Sequence, residues 1–299
     1  MTLIAILLSL AISRMIEAAH GWRRLDWLAN YADWARSRMA GESVWNGPLG
    51  VFVIVAPVVF VTGWLHATLS DWLGMFGFAF AVVVLVASIG PRDVDKQVEH
   101  LLDAWGRNDA DAVNDQLAGL AGDSHAPGLP REPAVIHNIL AGTHTQLLGI
   151  IFWFVVLGPI GAVAYRFSVM VAQAARHYSD DWRSFTNAAE VLHGVLDWIP
   201  SRLTALGYGI TGSFVDALHS WRNVAEAGNG DWVANNRTIV IASGTGALQL
   251  EAALAGITDD EPPREFWFGQ ISAAQALSRR TIVLWLAMIA ILTLAGWTR

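Results

Sequence analysis

The chain lacks cysteine entirely, which excludes disulfide bonds, thiolate metal ligands and cysteine nucleophiles from all 299 residues. It is also poor in charge, since charged residues make up 15% of the chain against roughly 25% in a typical soluble domain. Lys96 is the only lysine and the net charge is −7, so the concentrated basic face that nucleic acid binding requires is missing. The sequence around Lys96, GPRDVDKQ, does not form a phosphate-binding P-loop either.

Hydrophobic residues are what the chain has in excess: they make up 54% of it, with 15 tryptophans and a mean hydropathy of +0.40. Long apolar runs predict helices that cross a membrane, and tryptophan collects at membrane interfaces. We therefore expect an all-α, polytopic membrane protein with about five transmembrane helices, in a range of roughly four to seven. The predicted spans are about 3–19, 48–69, 72–90, 146–166 and 281–297. Gly158 and Pro159 predict that the fourth span is bent or discontinuous.

The chain is expected to form one domain over 1–299 with two polar regions between the spans. Residues 91–145 predict a water-exposed helical hairpin insertion, in which Asn108 or Asp109 caps the second helix. Residues 167–280 predict an amphipathic or re-entrant region, and the side of the membrane on which it lies stays open. Four arginines between residues 20 and 47 place that loop in the cytoplasm by the positive-inside rule.

Two sets of polar residues are candidates for chemistry. Arg14 and Glu17 stand one turn apart in the first apolar helix, where charges usually face a bundle interior or a wet cavity; they could equally sit at the interface. Further on, Asp197 and Arg202 could hold an anionic ligand or pair with each other. The spacing alone favours a simpler interpretation, in which Asp197 caps a helix that opens at Pro200.

Two E-x-x-H pairs, Glu17–His20 and Glu190–His193, have the spacing found in di-iron helical bundles. Such a site needs two further inward-facing carboxylates, and the predicted spans supply none. We therefore expect no metal ion and no cofactor.

Several motifs occur in a fixed order: MTLIAILLSLAISR at the start, RND at 107–109 and VLHGVLDWIPSRLTAL at 191–206. Their order and spacing resemble the AmpE family of bacterial inner-membrane proteins over essentially the whole chain. FWFVVLGPIGAVAYR at 152–166 and IPSRLTAL at 199–206 also resemble the related CbiB family of cobalamin biosynthesis.

The AmpE resemblance implies a multi-pass inner-membrane protein of regulation or sensing, linked to β-lactamase induction and cell-wall recycling. Its implied partners are the lipid bilayer and a cytoplasmic AmpD-like amidase. The CbiB resemblance implies a ligase that joins an aminopropanol unit to adenosylcobyric acid through an amide. The CbiB pattern has an acidic pair at the positions of His193 and Gly194, and further carboxylates where this chain reads AGTHT at 141–145.

These departures favour a regulatory protein without catalysis, and a CbiB-like amide-forming ligase of altered specificity is the alternative. A plain interaction scaffold also stays open. The resulting hypothesis is a cytoplasm-facing polar cavity that binds a small anionic or amide-rich ligand, with no assigned catalytic residue. Its candidate lining residues are Arg14, Glu17, Arg107, Asp109, Glu190, His193, Asp197 and Arg202.

Overall fold

The computed structural model describes residues 2–15, 31, 34, 45–72, 74–89, 94–122, 130–176, 178, 182–227, 235–257 and 262–296. Every regular element in those ranges is helical, so the predicted all-α class is confirmed. We number the longer helices α1 to α13 in chain order: α1 Thr2–Met15, α2 Pro48–Trp72, α3 Gly74–Ser88, α4 Val94–Gly106, α5 Ala110–Ala121, α6 Glu132–Thr143, α7 Gly149–Leu157, α8 Pro159–Ala175, α9 Arg183–Thr211, α10 Phe214–Ala227, α11 Asn236–Ala247, α12 Leu250–Ala255 and α13 Arg264–Leu294. A π-helical turn, His144–Leu148, joins α6 to α7 without a break.

The protein is a membrane protein. Within the described residues, three helices are long and apolar enough to cross a bilayer: Pro48–Asp71, Glu132–Leu157 and Arg264–Leu294. Two shorter apolar helices, Thr2–Ser13 and Gly74–Ser88, overlap the remaining predicted spans. All five predicted spans therefore correspond to helices, although two of them begin well before their predicted first residues.

The fourth span differs most from its prediction. The apolar helix starts at Glu132 and ends at Leu157. Gly158 then adopts φ 65° and ψ −149°. Glycine reaches this positive-φ conformation without steric strain because it has no Cβ atom. Pro159 opens α8 at a position where its missing N–H is harmless. The predicted discontinuity is thus confirmed, and it turns the chain back between α7 and α8.

One compact unit comprises residues 1–91, 145–198 and 288–299. In it α2 packs against α3 and α8, and α3 also packs against α1 and α8. Its core includes Val51, Ile54, Phe167, Val171 and Phe185. Large apolar side chains on α2, such as those of Phe52, Phe60 and Trp64, are exposed, as expected for a surface that faces lipid.

A second compact unit comprises residues 92–144 and 199–287. It contains the predicted hairpin of α4 and α5, whose apolar faces pack against α6. Asp109 caps α5 by accepting a hydrogen bond from the N–H of Ala112 at 3.1 Å, so one of the two predicted caps is the real one. Arg279 of α13 pairs with Asp95 at 3.0 Å and Glu99 at 2.5 Å, both on α4.

The prediction that Asp197 caps a helix starting at Pro200 is wrong, because α9 runs through Pro200 without interruption. A proline inside a helix removes the hydrogen bond to the carbonyl four residues earlier, here that of Leu196. The indole Nε1 of Trp153 donates to that Leu196 carbonyl at 2.9 Å. This bond from α7 replaces the missing backbone donor, which explains how α9 tolerates its proline.

Candidate functional site

The first unit holds a buried pair of ionisable side chains. The Tyr165 hydroxyl on α8 donates to Asp197 Oδ1 on α9 at 2.7 Å. Tyr165 is 0% exposed and Asp197 3%. A buried carboxyl group needs hydrogen-bond partners, and the Tyr165 hydroxyl holds that of Asp197 in position.

Ser168 on α8 and His193 on α9 contact each other next to this pair. The Ser168 hydroxyl donates to the Tyr165 carbonyl oxygen at 2.7 Å, which uses its one proton. The 3.4 Å contact between Ser168 Oγ and His193 Nδ1 is therefore a long one in which the imidazole donates. In that tautomer the basic lone pair of the neutral ring lies on Nε2. The His193 ring also lies against the Tyr165 ring, with centroids 5.7 Å apart.

Gly149, at the start of α7, makes room for the tyrosine. A Cβ atom at this position would lie 2.4 Å from the Tyr165 hydroxyl oxygen, far inside contact distance. The π-helical turn directly precedes Gly149, and such turns recur at functional sites because they leave backbone groups in irregular positions. Glycine and the π turn together let α8 bring Tyr165 close to the backbone of α7.

Two further polar atoms in the first unit are buried without a hydrogen-bond partner among the described residues. They are Arg166 Nε on α8 and Gln146 Oε1 in the π turn. Arg166 directly follows Tyr165 on α8. A buried polar atom without a partner destabilises a fold by about 1–3 kcal/mol, and by more when it is charged. We call Tyr165, Ser168, His193 and Asp197 the polar cluster.

The predicted lining residues fall into separate places. His193 and Asp197 belong to the polar cluster. Glu190, one turn earlier on α9, forms a half-exposed ion pair with Arg176 at 3.0 Å. Arg107 and Asp109 are exposed at the turn of the hairpin in the second unit.

The remaining two predicted lining residues stay predictions. The side chain of Arg14 and the whole of Glu17 lie outside the described residues, so the structure does not test that half of the hypothesis. In the described part of the chain, no three His, Asp or Glu side chains come close enough to hold a metal ion, and we assign no metal ligand.

Arg202 was the arginine predicted from the sequence to bind a ligand. It lies in the second unit, and its guanidinium donates hydrogen bonds within that unit. Its Nη1 donates to Ser201 Oγ at 3.0 Å and to Asn236 Oδ1, at the start of α11. Asn236 is 3% exposed. Arg202 therefore links α9 to α11 within this unit, and both of these hydrogen bonds are made to side chains of the protein itself.

Comparison with known proteins identifies the family. The family model described as "CobD/Cbib protein" matches residues 2–282. The chain belongs to the CobD/CbiB family. No solved structure matches it.

Two curated relatives of the CobD/CbiB family carry the name "Cobalamin biosynthesis protein CobD". The protein of Chromobacterium violaceum is 25% identical over 234 residues, which cover 74% of this chain and 72% of the relative. The protein of Stutzerimonas stutzeri is 26% identical over 254 residues, which cover 79% of this chain and 82% of the relative.

The expectation of an AmpE-type regulator of β-lactamase induction is therefore wrong. The family model and both relatives point to cobalamin biosynthesis instead. The segments 152–166 and 199–206, which resemble CbiB as well, contain the helix break at Gly158 and the proline that α9 accommodates at Pro200. Segments that specify a shared architecture cannot separate two related families.

Sequence reasoning noted Tyr165 and Arg166 only as part of the CobD/CbiB-like framework, and it missed Gln146. A signal was available for each of them. Arg166 is a charged residue, and Gln146 an amide, in an otherwise apolar stretch from 146 to 166. Polar groups in such stretches are costly and usually functional.

Proposed function

We propose that this protein works in cobalamin biosynthesis as an amide-forming ligase of the CobD/CbiB type, joining an amine to a carboxyl group of a corrinoid acid. The observation that carries the proposal is the family match over residues 2–282. The names of the two relatives agree with it. The absence of the CbiB-type acidic pair at His193 and Gly194 fits an altered specificity for the amine.

Forming an amide from a carboxylate and an amine in water needs an activated carboxyl group, for which we name a nucleoside triphosphate as the class of co-reactant. A carboxylate oxygen attacks the terminal phosphorus of the triphosphate, the P–O bond to the nucleoside diphosphate breaks, and the diphosphate leaves. The amine nitrogen then attacks the carbonyl carbon of the resulting acyl phosphate. The C–N bond forms while the C–O bond to phosphate breaks, and phosphate leaves with that electron pair. The amine arrives as an ammonium group and loses one proton to solvent before it attacks; the attacking amine loses a second proton to a base.

The polar cluster supplies two groups suited to the amine. The Asp197 carboxylate, held by Tyr165, would attract the incoming ammonium group through a charge-assisted hydrogen bond. His193 would accept the proton at Nε2, since its Nδ1 is turned toward Ser168. These roles use residue types different from the acidic pair that the CbiB pattern has at this place.

We also propose that the protein is a multi-pass protein of the bacterial inner membrane, which the three long apolar helices support. We propose that the small anionic ligand expected from the sequence is the corrinoid acid. The AmpD-like amidase rests on the AmpE resemblance alone, and it has no part in this proposal.

A genetic rescue tests the function. A bacterial strain that lacks its own CbiB-type ligase is supplied with cobyric acid and transformed with this chain, and cobalamin-dependent growth is measured. We expect rescue by the wild type, loss of rescue by Asp197→Asn, and rescue by the surface variant Glu190→Gln. Failure of the wild type, with the protein present in the membrane by immunoblot, would count against the proposal.

A further inference from the structure

The exposed face of α9 changes from polar to apolar at Val191. The exposed residues before this point are Arg183, Ser184 and Asn187. From residue 191 to residue 210, every exposed residue is large and apolar, and each is between 36% and 60% exposed. We call these side chains the apolar stripe: Val191, Val195, Trp198, Ile199, Leu203, Leu206 and Ile210. Their spacing, mainly of three and four residues, keeps them on one face of the helix.

The polar side chains of the same stretch are buried on other faces of the helix. Asp197 is 3% exposed, and Ser201 and Thr204 are fully buried. The guanidinium of Arg202 donates to Ser201 and to the buried Asn236. A helix at the surface of a water-soluble protein has the reverse arrangement, with its polar residues outside. A helix that crosses a membrane keeps its polar groups inside the bundle, because exposing them to lipid is costly.

The length of the apolar stripe matches the thickness of a bilayer. From Val191 to Ile210 the helix rises by about 28 Å, at about 1.5 Å per residue, and the hydrocarbon core of a bilayer is about 30 Å thick. α9 is helical over this whole length. After Ile210, the exposed Phe214 and Val215 begin α10, and exposed polar side chains return from His219 onward. Exposed polar residues therefore lie beyond both ends of the stripe.

Each end of α9 lies beside the end of another apolar helix. In the first unit, the Phe185 N–H donates to Asn46 Oδ1 at 3.0 Å. Asn46 stands two residues before α2, one of the three long apolar helices. In the second unit, Thr211 Oγ1 and Thr281 Oγ1 are hydrogen-bonded at 2.8 Å. Thr281 begins the apolar run of α13, directly after two arginines. α9 thus begins and ends at the levels where membrane-spanning helices begin.

We propose that α9 crosses the membrane and that lipid acyl chains cover the apolar stripe. This proposal does not depend on the ligase function. The chain then crosses the bilayer between Asn187 and His219, so the polar region predicted at 167–280 has parts on both sides. Hydropathy alone does not reveal this crossing, because the buried faces of α9 carry polar groups such as Asp197 and Thr204.

The absence of cysteine allows a direct test. Four variants of the full-length chain each carry one nitroxide label in liposomes: Val195→Cys, Leu203→Cys, Phe60→Cys and Asn187→Cys. Electron paramagnetic resonance measures how often each label collides with oxygen, which dissolves in lipid, and with a water-soluble nickel complex. Phe60 is 73% exposed on α2 and is the control for contact with lipid. Asn187 is the control for contact with water.

We expect the labels at Val195 and Leu203 to behave like the label at Phe60. Their collisions with the nickel complex should be at least about tenfold rarer than those at Asn187, because a polar solute enters hydrocarbon only at high cost. Their collisions with oxygen should be as frequent as those at Phe60. Ile199→Cys and Leu206→Cys replace either stripe variant if its thermal midpoint shows that it does not fold.

A second measurement tests the crossing itself. Asn187→Cys and His219→Cys are treated with a membrane-impermeant maleimide in intact cells and in inverted membrane vesicles. We expect each cysteine to react from one side only, and the two to react from opposite sides. Reaction of both cysteines from the same side overturns the crossing.

Two results of the label experiment also overturn the proposal. Frequent nickel collisions at Val195 and Leu203 would mean that water covers the apolar stripe. Rare collisions with both reagents would mean that protein covers it, and dipolar broadening between labels on two molecules would then identify a second copy of this chain as the occupant.

Discussion

Two arginines, Arg166 in the first unit and Arg202 in the second, have opposite environments. Arg202 donates to Ser201 and to the buried Asn236, so its charge holds two helices of its own unit together. Arg166 has a buried Nε without a partner among the described residues. The arginine with internal partners stabilises the fold, whereas the one without them costs stability, and a cost of this kind persists where function requires it.

The comparison also shows that the position of a charged residue near a proline in the sequence is weak evidence that the residue binds a ligand. Arg202 stands two residues after Pro200, in a segment that resembles a known family, and it was the natural candidate. Its hydrogen bonds became visible only with Asn236, 34 positions along the chain. Satisfaction of hydrogen bonds is a property of the folded chain, and it separates the two arginines where sequence context does not.

The strongest test of the first unit enlarges Gly149. Gly149→Ala places a Cβ about 2.4 Å from the Tyr165 hydroxyl oxygen, so the tyrosine must move and its bond to Asp197 must break. Overpacking of this kind destabilises by about 1–3 kcal/mol, and the lost bond to a buried carboxylate adds about 1.5–3 kcal/mol. Denaturation followed by tryptophan fluorescence measures the change.

Gly119→Ala is the control for that prediction. Gly119 lies inside α5, and a Cβ atom added there would meet no other atom within 4 Å. Alanine should therefore stabilise this helix by up to about 1 kcal/mol. Equal effects of the two substitutions would contradict the close packing of Tyr165.

The comparison of the arginines predicts opposite signs for one substitution at two places. Arg202→Met removes a donor from the buried Asn236 and should destabilise the protein by about 1–3 kcal/mol. Arg166→Met should raise stability, because it removes a buried Nε–H that has no partner among the described residues. The thermal midpoints of the two variants, measured together without ligand, give the direction of each change in stability. A shift in the same direction for both variants would contradict the proposed difference between the two arginines.

Trp153 provides a smaller test, of how α9 tolerates Pro200. Trp153→Phe removes the donor to the Leu196 carbonyl and should destabilise by about 1 kcal/mol beyond the lost apolar area. In a Pro200→Ala background the alanine N–H can bond to the same carbonyl, so the indole should matter less. A double-mutant cycle measures that coupling, and strictly additive effects would show that the indole does not replace the proline's missing donor.

The smallest effect concerns Asp216 at the start of α10. Hydrogen bonds from Ser213 and Gln249 hold the pKa of its carboxyl below the usual 3.8. A lowered pKa in the folded state means that the carboxylate stabilises the protein above its unfolded pKa, and that this contribution is lost as the pH falls through the folded pKa. The gap in thermal midpoint between wild type and Asp216→Asn should therefore be small at pH 7 and should close only as the pH falls below the usual 3.8 and through the lowered pKa of Asp216. A gap that stays constant into strong acid would contradict the assignment.

Much of the fold follows from the sequence because apolar runs and helix breakers act locally. The five apolar helices, the break at Gly158, the 94–121 hairpin and the cap at Asp109 were all predictable in this way. The limits of the spans were only partly predictable. A helix that leads into the fourth span from about residue 134 follows from the sequence, whereas the extension of the last span back to Arg264 was not predicted. The unbroken course of α9 depends on the bond from Trp153, 47 positions before Pro200, and local propensity says nothing about it.

The candidate site was only partly predictable. Asp197 and His193 stood out as polar residues on an amphipathic helix, but their partners Tyr165 and Ser168 come from another helix. That polar atoms of Gln146 and Arg166 lack partners among the described residues became visible only in the folded chain. The division of the chain into one domain with two polar regions stays a prediction.

The most direct test of the central claim is formation of an amide by the purified full-length protein. Wild type in nanodiscs is given cobyric acid, isotope-labelled 1-amino-2-propanol and a nucleoside triphosphate, and the corrinoid products are analysed by mass spectrometry. We predict a product that carries the label in an amide and the release of one phosphate for each product formed. Asp197→Asn should lose the product while Glu190→Gln retains it. A folded wild-type protein that binds cobyric acid and forms no labelled amide with this or any other small amino alcohol tested would contradict the proposed ligase function.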